Sequence, residues 1–180
     1  VFGSAFGSTI ALAAMHKHPG RLPRGILQGG VARRPLGSAV ALLASFARYV
    51  PGRQGELPFR EAILRRVHHG PFAGREPGLW NYLVNRWGLP PFAALGRMSL
   101  LLHRLDLRPL LPEIRQPVLL VCGDRDPLVV KGCEEELLQG LANAGRVELS
   151  GCGHNPIYSH PEVLAEMVRR FLTPPPCVAC

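Results

Sequence analysis

Two glycines four positions apart, Gly3 and Gly7, constrain this chain more than any other feature. They stand in Val1-Phe2-Gly3-Ser4-Ala5-Phe6-Gly7-Ser8-Thr9-Ile10-Ala11-Leu12, behind an apolar pair and ahead of a helical pattern. Spaced in this way they frame a sharp strand-to-helix elbow, G-x-S-x-G, which lifts its central side chain above a sheet. Glycine is expected on both sides because the turn presses backbone against backbone. The central position is built for a nucleophilic serine, and here it is Ala5. Ser4 does not replace it by a shift of frame, since the residues two away are Phe2 and Phe6.

The rest of the chain reads as alternating strands and helices. Ser8 to His18 has the apolar surface of a helix, with Pro19-Gly20 as its stop. Gly25-Ile26-Leu27-Gln28 is a short apolar strand closed by Gly29-Gly30. Strand, helix and strand within about thirty residues make a βαβ unit, so the sheet is expected to be parallel. Pro117-Val118-Leu119-Leu120-Val121-Cys122 is the clearest strand, a continuous apolar run of the kind covered on both faces. It leads into Gly123-Asp124-Arg125-Asp126-Pro127 and a helix over roughly 132–141, with Glu134, Glu135 and Glu136 in its first turn, where the helix dipole favours acids. Arg146 to Leu149 is the last strand, and Ser150-Gly151-Cys152-Gly153-His154-Asn155-Pro156 is the loop at its end. A final helix runs from Pro161 to Leu172.

Residues 32–112 differ in character. Apolar residues recur at helical spacing (Val40, Leu43, Ala44, Ala47; Ile63, Leu64, Val67; Leu79, Leu83, Val84; Leu95, Met98, Leu101, Leu102), and prolines punctuate the runs. This is a helical insert between two strands of one sheet. The expected organisation is a core piece over 1–31, the insert over 32–112, a second core piece over 113–173 and a disordered tail over 174–180.

Composition removes several function classes. The net charge is +8, and all of the 21 basic residues except Lys17 and Lys131 are arginine. They are scattered through the chain, often singly between apolar residues, whereas a nucleic-acid footprint clusters in runs or on one face, so no nucleic-acid partner is expected. Five cysteines without regular spacing do not make a disulfide framework. Cys177-Val178-Ala179-Cys180 is a lone C-x-x-C after three prolines, without the second pair a zinc site needs, so no metal and no cofactor are expected. No run reaches the roughly 18 apolar residues of a membrane span. A cytoplasmic location is the expectation, although the first residue is Val1 rather than Met.

Functional groups of open α/β sheets sit beyond the carboxyl ends of parallel strands. Three such loops are readable here, holding Ala5, then Asp124 and Asp126, then His154. Nucleophile position, acid and base follow one another in the chain order of one hydrolase fold. On Gly3-Ser4-Ala5-Phe6-Gly7-Ser8, on Pro117 to Asp126, and on Gly151-Cys152-Gly153-His154-Asn155-Pro156 with His160-Pro161-Glu162, the chain resembles the C-terminal two thirds of an α/β-hydrolase. The resemblance implies Asp126 as the triad acid, His154 as the base and Ala5 at the nucleophile position. It implies the Phe6 backbone N–H as an oxyanion donor and the helical insert as the cap over the site. It also implies a partial fold: the chain begins inside what is similar to the family's fifth strand. The N-terminal strands, with the loop that gives the second oxyanion donor, are then expected in a longer protein of which this is a fragment.

Two function classes follow. The first is a serine-type hydrolase scaffold for a small apolar ester or amide, in which the chain as written lacks its nucleophile. Similarity of the Gly-x-x-x-Gly-Ser-Thr run to proline iminopeptidases adds peptide bonds to the substrates, and the same scaffold hosts dehalogenases. The second is a non-catalytic relative that binds a small apolar ligand or a protein partner, with Ala5 in its favour. Asp124 competes with Asp126 for the acid's place and otherwise serves a turn. Trp80, Tyr82, Trp87, Phe92 and Met98 either line an apolar pocket or pack the insert. His68, His69 and His103 carry no ligand spacing and are expected at the surface or packed within the insert, while His16 and His18 flank a helix end, where a positive charge is mildly favourable. Cys122 inside a strand and Cys152 in the loop offer no substitute nucleophile. Oligomeric state is not readable from the sequence.

Overall fold

The computed structural model describes residues 1–68, 77–129 and 131–173. Its centre is a four-stranded parallel sheet: β1 (Phe2–Ser4), β2 (Gly25–Gln28), β3 (Val118–Gly123) and β4 (Ala144–Leu149), side by side in that order. Gly3 lies opposite Leu27, Gln28 opposite Val121 and Gly123 opposite Leu149, so the strand ends that carry the elbow and the loops are aligned. This is the expected α/β class, with a parallel sheet and flanking helices.

Alternation along β3 explains how the sheet is covered. Successive side chains of a strand point to opposite faces. Val118, Leu120 and Cys122 join Leu12 and Met15 of α1 (Phe6–Lys17), Leu111, and Leu137 of α6 (Lys131–Gly140) on one face. Leu119 and Val121 join Ile26, Leu149, Cys152 and Leu164 on the other, under α8 (Pro161–Leu172). Each fully buried leucine or valine of this kind contributes about 1.5–3 kcal/mol. A continuous apolar run is therefore what a strand clad on both faces requires.

Between β2 and β3 the described residues are mainly helical: α2 (Ser38–Ala47), α3 (Arg60–His68), α4 (Pro77–Gly88) and α5 (Phe92–Arg104), followed by a 3-10 helix at Arg108–Glu113. Among the described residues there, strand-like pairing is limited to the isolated bridges Arg33–Asp106 and Arg53–Pro91. A Cβ on Gly96 of α5 would meet the Arg48 amide nitrogen at 2.6 Å and the Ala44 carbonyl at 2.8 Å, so α2 and α5 pack backbone to backbone there. Leu64, Trp80 and Leu83 form a separate small core, with Tyr158 of the short helix α7 (Pro156–Ser159) packed on it.

Boundaries move slightly from those expected. Helix α1 starts at Phe6 rather than Ser8, because the elbow hands the chain straight to the helix. Strand β4 begins two residues earlier, at Ala144, where its pairing with Val118 starts. The tail expected over 174–180 lies outside the described residues, as does His69.

Candidate functional site

The elbow is built as its glycines imply, with one correction. Ala5 holds φ 51° and ψ −118°, a conformation L side chains avoid and one that costs on the order of 1–3 kcal/mol. Its N–H donates to the Gln28 carbonyl at 2.8 Å. The buried Ser8 hydroxyl donates to the carbonyls of Gly3 (2.8 Å) and Gln28 (3.0 Å), which clamps the turn. A Cβ on Gly3 would sit 2.6 Å from the Gly7 carbonyl oxygen and 2.7 Å from the Ser8 Cα, so glycine is obligatory there. Gly7 is different: nothing described lies within 4 Å of a Cβ built on it. The expectation that both glycines answer to close backbone approach is thus corrected at Gly7, which already lies inside α1. Phe6 is the first residue of that helix, and its N–H is among the first four that a helix leaves without an internal partner.

Asp126 and His154 meet. His154 Nδ1 lies 2.7 Å from Asp126 Oδ2, and the two side chains are 9% and 2% exposed. The other carboxylate oxygen accepts from the Leu128 N–H at 2.7 Å and the Val129 N–H at 3.2 Å. Asp126 therefore caps the turn after β3 and faces the imidazole at once, and the two readings of it are compatible. Backbone N–H donors offset the cost of removing its charge from water. Asp124 does something else. Its Oδ1 accepts from the Cys152 N–H at 3.0 Å and so pins the loop after β3 to the loop after β4.

Two walls hold the pair in place. On the sheet side is Gly29, in the left-handed region at φ +59°. A Cβ there would stand 3.2 Å from His154 Cε1 and 3.6 Å from Asp126 Oδ2. On the insert side the His154 N–H donates to the Val67 carbonyl at 3.0 Å. His68, next in the chain, is buried, and its Nδ1 lies 3.5 Å from Asn155 Nδ2. Burial first, and then the neighbouring His154, push the His68 imidazole down to about 4, while the Asp126 carboxylate pulls the other way. The expectation that His68 packs is compatible with this position, but its place beside His154 is invisible in the chain. Contact across so many residues leaves no local spacing signal.

Among the remaining candidates, Trp80 is buried with Leu64 and Leu83, donates from Nε1 to Glu61 at 3.2 Å and carries the Arg65 guanidinium over its ring. Trp87 packs at the edge of the same cluster, whereas Tyr82 is half exposed. His103 accepts at Nδ1 from the Leu36 N–H, and His16 pairs with Glu113 at 2.9 Å. Cys122 and Cys152 are buried, and burial pushes both thiols up, so neither supplies a thiolate at neutral pH. No cluster of three metal-ligating side chains occurs among the described residues, and no described helix is long and apolar enough to cross a membrane.

Comparison with known proteins places this geometry. The profile of the alpha/beta hydrolase fold family matches residues 1–161. A pimeloyl-[acyl-carrier protein] methyl ester esterase of Aromatoleum aromaticum is 28% identical over 179 residues, which cover 93% of this chain and 71% of that protein. The enzyme of the same name from Nitrosomonas europaea is 38% identical over 76 residues, 42% of this chain and 30% of its own length. Among solved structures, the enol-lactonase of Burkholderia xenovorans LB400 superposes with a TM-score of 0.83 at 23% identity, over 96% of this chain and 65% of that one. The chain thus spans about two thirds of the lactonase and 71% of the Aromatoleum enzyme.

Proposed function

Because this chain belongs to the alpha/beta hydrolase fold family, we propose that its strand ends are the acid–base half of an acyl-ester hydrolase site, with Ala5 where such a site carries its nucleophile. The observation that carries this reading is the 2.7 Å contact between His154 Nδ1 and a doubly N–H-bonded Asp126 carboxylate. With the carboxylate as acceptor, Nδ1 bears the imidazole proton and Nε2 is left as the base. With serine at the apex, Nε2 takes the hydroxyl proton as the oxygen attacks the ester carbonyl. The imidazolium then protonates the departing alcohol, and water repeats the sequence on the acyl ester. The Phe6 N–H serves the oxyanion. Helices α2–α5 form the cap in this reading.

Ala5 presents a methyl group, so the covalent step has no attacking atom. The unmodified chain binds an ester and does not turn it over. A carboxylic ester of a small apolar acyl chain is the substrate class, and the names of the relatives point to methyl esters. Amides and peptides require the same base and acid and remain in the same class of chemistry. Ala5 itself favours the second reading, a non-catalytic binder of the same apolar ligand.

The test is covalent capture by an alkyl fluorophosphonate, read as a mass increment on residue 5. Ala5→Ser is captured and the unmodified protein is not. Adding His154→Ala slows capture by about 10²-fold or more, the usual contribution of a positioned base. Capture that ignores His154 sinks the acid–base assignment. An Ala5→Ser protein that stays unlabelled, while a fatty-acyl methyl ester still raises its melting temperature, establishes the binder.

A further inference from the structure

Gln28 closes β2 with a carboxamide where the three preceding residues, Gly25, Ile26 and Leu27, are apolar or small, and it is 1% exposed. Burying an amide carries a desolvation cost that an aliphatic side chain avoids, unless its donors and acceptor are used. Here they are. Oε1 accepts from the Ser4 hydroxyl, one residue before the elbow apex. Nε2 donates to the backbone carbonyl of His154. The Gln28 carbonyl takes the Ala5 N–H and the Ser8 hydroxyl. One residue thus grips the elbow through Ser4, Ala5 and Ser8 and reaches the base loop with the far end of its side chain.

The sheet order makes such a grip necessary. The elbow follows β1 and His154 follows β4, and the order β1-β2-β3-β4 leaves two strands between them. No backbone ladder joins β1 to β4 directly. Sheet twist accumulates strand by strand, so the distance from apex to base is the sum of three pairings. Acyl transfer tolerates little error in that distance, since a misplacement of about 1 Å costs on the order of 10²-fold. A tie from β2 to the His154 carbonyl removes the accumulated freedom. Gly29, directly after Gln28, brings the same backbone against the imidazole face.

We propose that Gln28 is the positioning residue that registers the base His154 against the elbow apex. This rests on the Asp126–His154 reading above. Its effect passes through the His154 backbone, so Gln28 touches no reacting atom.

The measurement is solvent exchange of the His154 Nδ1 proton, followed as a far-downfield resonance in histidine-labelled protein, where turnover is not needed. Gln28→Met keeps the length of the side chain and removes both hydrogen bonds. It is expected to speed exchange about tenfold, the factor set by losing one buried hydrogen bond. Ser4→Ala, which cuts only the elbow end, is expected to act in the same direction by about threefold. The double variant should fall short of the product of the two, because the residues share one network. In the Ala5→Ser background, Gln28→Met slows fluorophosphonate capture and leaves the melting shift induced by a fatty-acyl methyl ester in place. Unchanged exchange in Gln28→Met, together with a lowered melting temperature, shows a packing role alone and overturns the proposal. Should Gln28→Met not fold, Ser4→Ala decides: unchanged exchange there overturns the tie equally. No downfield resonance in the unmodified protein overturns the Asp126–His154 pairing, and this proposal with it.

Discussion

The sheet and the insert reach His154 in opposite ways. From the sheet side, Gln28 meets it from the end of β2, Gly29 from the residue after that strand, and Asp126 from the loop after β3. From the insert side, among the described residues, contact is a backbone hydrogen bond from His154 to Val67, the close approach of the Gly153 backbone to Val67 and His68, the His68 side chain beside Asn155, and the packing of Tyr158 on Leu64, Trp80 and Leu83. The sheet faces are lined by two buried clusters, whereas α2 leaves Leu42, Leu43 and Phe46 mostly exposed. The difference assigns tasks. In the proposed reading, the sheet fixes the chemistry, and the insert covers it and adjusts more readily.

The sharpest break of that comparison is a matched pair of truncations. Leu120, 2% exposed in the middle of β3, should cost about 3–5 kcal/mol as Leu120→Ala, through lost transfer energy and the cavity left behind. Phe46, 64% exposed on α2, should cost no more than about 0.5 kcal/mol as Phe46→Ala. Urea unfolding of the two variants decides. Comparable losses would show that the insert is as tightly built as the sheet.

A pH series probes the insert wall. His68 is held down to about 4, chiefly by burial and then by His154, against an ordinary value near 6.5. The unfolded chain therefore takes up this proton first as pH falls. The neutral, buried state contributes fully above about pH 6.5, and its stability is lost as pH drops toward 4, by about 3 kcal/mol once both limits are passed. His68→Leu should flatten the decline between pH 7 and 4.5 by most of that amount. An unchanged slope would place His68 in water and remove it from the base wall.

What the sequence made readable, and what it hid, follows the same division. The run Val118–Cys122 announces β3 because a strand covered on both faces needs apolar side chains at every position. The spacing of Gly3 and Gly7 announces the elbow, since the turn is local. Asp126 and His154 stand out because they lie in the loops that follow β3 and β4. Gln28 reads only as the last residue of a short apolar strand, and Gly29 as its stop, because their partners come from β1 and from beyond β4. His68 looked like packing, because only the folding back of the insert brings it to Asn155. Gly7 misled in the other direction: its neighbour in the motif needs to be glycine, and it does not, within the described structure.

The smallest effects come from one substitution made on each side. At Gly29, alanine must hold φ +59° and place its Cβ 3.2 Å from His154 Cε1. The left-handed conformation alone costs about 1–2 kcal/mol for a residue with a Cβ. The imidazole must also give way, so Gly29→Ala should lower stability by that amount and shift the ring proton resonances of His154. At Gly78, an exposed residue in the first turn of α4, nothing described lies within 4 Å of an added Cβ. There alanine gains helix propensity, about 0.5–1 kcal/mol in the stabilising direction, and His154 should not register the change. Thermal unfolding and one histidine-detected spectrum of each variant are sufficient. Two glycine-to-alanine changes of opposite sign, only one of them felt at His154, are what a fixed sheet wall and an adjustable insert require. A loss of stability at Gly78, or a silent His154 in Gly29→Ala, would reverse the assignment of tasks on that side of the site.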